Sequence, residues 1–200
     1  MPQLTTQTKI HIARLLSKSV ISLRYLRGAG SSGEFLRSGL RWNLDLTEGI
    51  DLSIYLFGQF EREVARTYQR ILKPGSIALD IGANIGAHAL PMAKLCGSNG
   101  AVHAFEPTVW AVDKLKENLA LNDDLKDQLF IHHTLLNEGG AAATQKAIPS
   151  SWQLSDTSGH EIHPQHGGSF KPIGDAIFTT LDGFVKRYAL QHIDLIKLDV

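Results

Sequence analysis

Leu79-Asp80-Ile81-Gly82-Ala83-Asn84-Ile85-Gly86 decides how this chain folds. A short apolar run from Ser76 leads into it, and Ala87 to Cys96 follows with Leu90, Met92, Ala93 and Leu95 apolar. The pattern predicts a strand over 76–81, a glycine-containing turn over 82–86 and a helix from 87, in which Pro91 is tolerable only near the start. In an open parallel sheet such a turn sits at the carboxyl end of its strand, where ligands bind. Gly82 is expected to bring the backbone close to a ligand, and Gly86 to start the helix tightly against the strand. The turn amides are expected to face whatever occupies the site.

The same rhythm repeats outward. Ser98-Asn99-Gly100 reads as a turn, Ala101 to Phe105 as a strand closed by Glu106-Pro107, Val109 to Leu121 as a helix ended by Asn122, and Leu129 to Leu135 as a third strand. Ile177 to Leu181, Asp182 to Tyr188 and Asp194 to Val200 resume it as strand, helix and strand. Upstream, Arg41 to Leu46 alternates like a strand. Asp51 to Phe60 and Glu61 to Leu72 read as helix, stopped by Pro74-Gly75. Residues 137–175, rich in Gly, Ser, His and Pro, lack a period and read as a long loop. Strands alternating with helices predict an α/β fold with parallel pairing and helices on both faces.

Asp80 constrains the ligand. A carboxylate beside the turn would repel a pyrophosphate and attract a cation such as the sulfonium and ammonium of S-adenosylmethionine. The dinucleotide fingerprint fails at Asn84 and Ala87, and the Walker pattern fails for want of Gly-Lys-Ser/Thr. Glu106 lies 24 residues beyond Gly82 at the end of the second strand. An acid at that distance accepts hydrogen bonds from ribose hydroxyls, of an adenosyl group or of NAD. The competing readings are a turn cap for Asp80 and a solvated strand end for Glu106.

Composition sets the remaining bounds. Lys plus Arg equals Asp plus Glu in 200 residues, which argues against a nucleic-acid-binding surface. The lone cysteine, Cys96, excludes an internal disulfide and suggests a reducing, cytoplasmic setting. The first 33 residues hold Lys9, Arg14, Lys18, Arg24 and Arg27 and no acid. Ile12, Leu16, Ser19, Leu23 and Leu26 fall there at helical spacing, which predicts an amphipathic helix. Packing on the domain, contact with a membrane surface and a transit peptide are its three readings. Gly28 to Gly33 reads as a linker, dividing the chain into an N-terminal helix and linker over 1–39 and a main domain over 40–200. His160, His163 and His166 lie three apart in the irregular segment, but without a supporting cluster they read as a solvated loop rather than a metal site. His88 reads as packing or lining.

Taken in order, these motifs resemble the FkbM-type methyltransferases: Asp80-x-Gly82-Ala83-Asn84-x-Gly86, Phe105-Glu106-Pro107, Thr180-Leu181-Asp182 and Ile193-Asp194-Leu195-Ile196-Lys197-Leu198-Asp199-Val200. Trp42 to Leu46 and Glu48 to Asp51 are similar too, so the resemblance spans about residues 40–200. It implies a Rossmann-like class I methyltransferase, a three-layer sandwich with S-adenosylmethionine as cofactor. It also implies O-methylation of a hydroxyl on a sugar, polyketide or other small molecule. Asp80, Gly82, Ala83, Asn84 and Gly86 match the family's cofactor loop, Glu106 its ribose acid and Asn137 its adenine-side residue. Asp199 matches the Asp of the Lys-Ile-Asp-Val-Glu-Gly pattern and is the candidate base. The chain stops at Val200 before that Glu-Gly, so the sheet is expected to be incomplete at its C-terminal side and the isolated chain inactive. The rivals are a nicotinamide-dependent oxidoreductase, disfavoured by Asp80, Asn84 and Ala87, and a non-catalytic binding module built on the same fold.

Overall fold

The computed structural model describes residues 6–139, 146–154 and 168–199. In chain order the elements are α1 (Thr6–Tyr25), β1 (Ser32–Arg37), β2 (Leu40–Asp45), α2 (Gly49–Phe57), α3 (Arg62–Ile71), β3 (Ile77–Ile81), α4 (Ala89–Cys96), β4 (Ala101–Glu106), α5 (Val109–Ala120), β5 (Leu129–Leu136), β6 (Ala147–Ser151), β7 (Ser169–Pro172), β8 (Ile177–Thr179), α6 (Leu181–Arg187) and β9 (Leu195–Leu198). Five of the strands form one sheet in the order β8-β5-β4-β3-β9, with every pair parallel. β9 therefore flanks β3 on the side opposite β4, and β8 adds a short strand outside β5.

Strand alternation divides the core between the two faces. Ala78, Val102, Ala104 and Leu129 point to one side, where Leu90, Met92 and Ala93 of α4 and Leu115 of α5 cover them. Leu79, Ile81 and Phe105 point to the other, against Phe184 of α6. Helices on both faces of a parallel sheet make the three layers of a Rossmann-like α/β fold. Pro91 is the third residue of α4, where the backbone N–H it lacks would have had no helical partner.

β1 and β2 form an antiparallel hairpin from Ser32↔Asp45 to Arg37↔Leu40. Residues 32–37 are thus strand rather than linker, and the division expected at 39 falls on the hairpin's own turn. Asn118 of α5 and Asn122, just past its end, take the place of a neighbouring strand for β2. The N–H of Asn43 donates to Asn118 Oδ1 (2.8 Å) and that of Arg41 to Asn122 Oδ1 (2.9 Å), while Asn122 Nδ2 donates to the Arg41 carbonyl (2.7 Å). Asn118 also donates to the carbonyl of Ile85 (3.0 Å), tying the hairpin to the turn after β3. Both asparagines are buried, so these bonds also answer the need to satisfy interior polar groups.

The irregular segment expected over 137–175 contains order. β6 and β7 pair antiparallel, and this ribbon is anchored upstream where Gly49 N donates to Trp152 O (2.9 Å) and Leu154 N to Thr47 O (2.7 Å). Ser151 Oγ donates to Glu48 Oε1 (2.8 Å) within the same buried contact. α1 packs on the body through Ala13, Val20 and Ile21, and Ser17 Oγ donates to the Leu46 carbonyl (2.7 Å). Among the described residues, no helix is long and apolar enough to cross a membrane.

Beneath α6, His103 and His132 stand side by side on adjacent strands, Nδ1 to Nε2 at 3.0 Å, within rings of Phe105, Phe130, Phe184 and Tyr188. One imidazole donates and the other accepts, so the bond requires at least one neutral ring. Burial lowers both pKa values, and His132, further disfavoured by His103, is pulled down to about 4. A histidine whose folded pKa is depressed stabilises fully above its unfolded value of 6.5 and loses that contribution as pH falls toward 4. Buried Asp80 and Glu106, whose carboxyl pKa values burial raises, act with the opposite sign. Stability against denaturant across that pH range is expected to flatten in His132→Phe, by up to about 3 kcal/mol at the acidic end. Ring titration of His132 near 6.5 by NMR in the native protein would contradict this account.

Candidate functional site

Parallel pairing brings the carboxyl ends of β3, β4, β5 and β9 to one edge of the sheet. Asp80 stands near the end of β3 and Glu106 ends β4, while Asn137 follows β5 and Asp199 follows β9. The structure therefore brings the sequence-predicted residues of four separate segments together along that edge. Two backbone bonds extend the pairing past the strands, Asn137 N to Thr179 O (3.0 Å) and Asp199 N to Ile81 O (3.0 Å).

Asp80 is fully buried. Lys197, from β9, approaches its Oδ1 at 3.3 Å and Asp199 Oδ2 at 3.6 Å, and donates to the Gly82 carbonyl at 3.2 Å. Neither Asp80 oxygen has a hydrogen-bond donor in bonding geometry among the described residues. Burial pushes this carboxyl above the usual range, and the Lys197 charge pulls against it. His88 adjoins the pair with Nε2 3.2 Å from Glu61 Oε2 and its ring beside Phe60 and Tyr68. Burial holds the imidazole down to about 4, so it is neutral at pH 7. The reading of His88 as a packing or lining residue matches this place. Glu61 adopts a left-handed backbone (φ 41°) in meeting it, and burial followed by the Asp199 charge raises its carboxyl pKa. A cavity of about 470 Å³ opens on the Glu61 side, lined by Ser53, Phe57, Gln59, Glu61 and Arg62.

Glu106 is held from three directions. Its Oε1 accepts from Thr108 N (2.9 Å) and Thr108 Oγ1 (2.6 Å), and its Oε2 from Asn84 N (2.9 Å). Burial raises its pKa, opposed by those hydrogen bonds. Ser150 of β6 covers it: Ser150 Oγ lies 2.9 Å from Thr108 Oγ1, and the Ser150 carbonyl accepts from Asn84 Nδ2 at 2.8 Å. Glu106 is consequently only 4% exposed, neither a solvated strand end nor an open ligand surface.

The turn departs from expectation in its amides. Gly82 N and Ala83 N both donate to Phe105 O (2.9 Å), Asn84 N to Glu106, Ile85 N to Asn84 Oδ1 and Gly86 N to Ala83 O. Three of the five bind β4 and two close the turn, so none is turned toward a ligand. Asn84 takes the left-handed conformation (φ 49°), which asparagine tolerates better than most residues. A Cβ on Gly82 would lie 2.1 Å from the Asp199 carbonyl oxygen, so this glycine admits the end of β9 rather than a ligand. A Cβ on Gly86 would meet Leu90 and Leu115 at 2.2 and 2.4 Å. The tight start against the next helix expected of Gly86 is what the structure shows.

Asp199, the candidate base, is 63% exposed and sits beside Lys197. Sequence reasoning missed Lys197, Thr108, Glu61 and Ser150. Lys197 lay within the quoted strand motif, and its charge two residues from Asp199 was the available signal. Ser150 carried none, because no pattern in 137–175 indicates which residue reaches the site. His160, His163 and His166 lie outside the described residues.

A family described as the methyltransferase FkbM domain matches residues 80–200. No curated protein matches the chain. Among solved structures, the chain is similar to a putative rRNA methylase from Clostridium thermocellum (20% identity over 38% of this chain and 41% of that one, TM-score 0.35). It is also similar to M. jannaschii TYW2 in complex with AdoMet (22% identity, 50% and 42%, TM-score 0.38). A third likeness is to a SAM-dependent O-methyltransferase from Thermotoga maritima (20% identity, 64% and 48%, TM-score 0.38). The chain spans less than half the length of each of these three proteins.

Proposed function

The chain belongs to the FkbM methyltransferase family, and from that premise we propose that it binds S-adenosylmethionine at the carboxyl edge of its sheet and methylates a hydroxyl of a sugar, polyketide or other small molecule. The observation that carries the reading is the acidic pair at the switch point between β3 and β9: buried Asp80 and exposed Asp199 share Lys197 at 3.3 and 3.6 Å, and the negative charge left in excess suits a cationic ligand. Glu106 fits as well, since its Oε2 takes only the Asn84 amide and retains acceptor capacity for a ribose hydroxyl. Bound there, the cofactor supplies an electrophilic methyl group on a sulfonium.

The residues divide the remaining work. The Asp80–Asn84 turn fixes the geometry of the site, with Gly82, Ala83 and Gly86 setting its backbone. Glu106 binds the ribose, and Asn137 borders the adenine. Ser150 moves aside for the sugar, because it covers Glu106 in the closed arrangement. Asp199, exposed at the end of β9, accepts the proton of the acceptor hydroxyl, and alignment of that hydroxyl contributes the larger part of the rate. The balanced charge of the chain supports a small-molecule or glycan acceptor over nucleic acid, and the single cysteine supports a cytoplasmic setting.

Titration calorimetry against S-adenosylmethionine, S-adenosylhomocysteine and NAD tests this reading. The first two are expected to bind and NAD is not. Glu106→Gln, which keeps the side chain's shape, is expected to weaken binding of both about 10- to 150-fold, the worth of a charged hydrogen bond. Binding of NAD in their place would overturn the cofactor assignment. Equal affinity in the folded Glu106→Gln variant would remove Glu106 from the site.

A further inference from the structure

The junction of α2 and α3 stands at the same edge of the sheet as the cofactor loop. β3 begins at Ile77, shortly after α3 ends at Ile71, so α3 runs back across the sheet and its first turn lies at the carboxyl edge, where Glu61 meets His88. The junction is braced by its own hydrogen bonds. Gly58 N donates to Ile54 O (2.8 Å), Ser53 Oγ to Gln59 O (3.1 Å) and Ser38 Oγ to Gly58 O (2.8 Å). Glu61 is the N-cap of α3, yet its side chain caps no amide. Its left-handed backbone is a strain that persists only where the surroundings enforce it, as they do at binding sites. The carboxylate turns instead to His88. The neutral imidazole donates from Nε2 to Glu61 Oε2, and Oε1 makes no hydrogen bond among the described residues.

We propose that the cavity of about 470 Å³ beside Glu61 is the acceptor pocket, that it takes a sugar ring, and that Glu61 Oε1 accepts a hydrogen bond from one of the ring's hydroxyls. The inference rests on the methyltransferase reading and adds the acceptor's side of the site. The volume lies in the range of small-molecule pockets. The lining selects the class of ligand. Glu61 supplies acceptors, Arg62 donors, and Ser53 and Gln59 both. Phe57, 70% exposed, supplies one apolar ring face. A sugar ring answers both, with hydroxyls that donate and accept around its rim and apolar C–H groups on its faces. An extended apolar chain would leave most of the polar groups without partners, at a cost in affinity. The pocket also borders the transfer site. From Glu61 the contacts run through His88 to the group formed by Asp80, Lys197 and Asp199, and the Asp199 charge is felt at Glu61.

NMR titration of the whole chain, saturated with S-adenosylhomocysteine, with methyl glucoside, methyl galactoside and methyl mannoside tests it. At least one glycoside is expected to shift the backbone amides of residues 53–62. Glu61→Gln is expected to weaken that binding about tenfold or more, the worth of a charged hydrogen bond, and Phe57→Ala about two- to tenfold. Affinity for S-adenosylhomocysteine is expected to stay at the wild-type value in both variants, so that a folded, cofactor-competent protein reports the loss. If S-adenosylhomocysteine binds but no glycoside does, if the shifts fall elsewhere, or if Glu61→Gln binds the glycoside as wild type does, the inference is overturned and the cofactor reading stands. If S-adenosylhomocysteine itself fails to bind the wild-type chain, the cofactor reading falls and this inference falls with it.

Discussion

Gly82→Ala is expected to destabilise the protein by about 3 kcal/mol or more. Two costs combine. The residue sits at φ 78°, where an L side chain is strained by about 1–2 kcal/mol. The new carbon would also stand 2.1 Å from the Asp199 carbonyl oxygen, which is backbone and cannot rotate away. Either the turn or the end of β9 must shift, and Asp199 N is bonded to Ile81 O at that point. Gly75→Ala is the control: its φ is 92°, but nothing lies within 4 Å of the added carbon. It should show the strain without the clash, about 1–2 kcal/mol. Denaturant unfolding of the two variants measures the difference, and equal losses would mean that β9 does not close on the turn as described.

Lys197→Met is expected to cost about 3–5 kcal/mol at neutral pH, the range for removing one partner of a buried pair. The remaining carboxylate, Asp80, is fully buried and would have no compensating charge within the strand pair. The pH dependence identifies the cause. Without the lysine the Asp80 carboxyl pKa rises further, so the protonated form dominates as pH falls and the deficit should shrink toward acid. Replacing both partners, as in Asp80→Leu/Lys197→Met, is expected to recover much of the loss, since an apolar pair of similar volume avoids the desolvation of two ions. A deficit that is independent of pH and unrecovered by the double change would show that Lys197 acts through packing of its stem alone.

How far the sequence could be read follows from which forces act locally. β3, β4 and their following helices were legible because apolar strands bounded by Pro-Gly, Ser-Asn-Gly and an acid carry their own punctuation. The meeting of Asp80, Glu106, Asn137 and Asp199 at one edge was legible for the same reason, since parallel strands place their carboxyl ends together. The destination of the turn amides was not, because it depends on the Phe105 carbonyl and the Glu106 carboxylate arriving from another strand. The β6–β7 ribbon was missed because its pairing draws on strands too short and mixed to show a period. For α1 the spacing was legible and the direction of the stripe was not. Apolar periodicity locates a stripe but does not state what covers it, and the larger apolar residues are the outward ones.

β3 occupies the interior of the sheet although its two neighbours come from very different places in the chain. β4 follows it directly, whereas the contact that begins its other side joins Ile77 to Asp194, 117 residues later. As the chain leaves the ribosome at about 5–20 residues per second, β3 would wait roughly 6–25 s with one flank bare before β9 can reach it. Long-range parallel pairing is also slow in its own right, because the intervening loop must be ordered before the contact rewards it. Folding of this domain is thus timed by the arrival of its last described strand, and the nascent chain is most in need of chaperone cover after β4 has docked and before β9 has emerged.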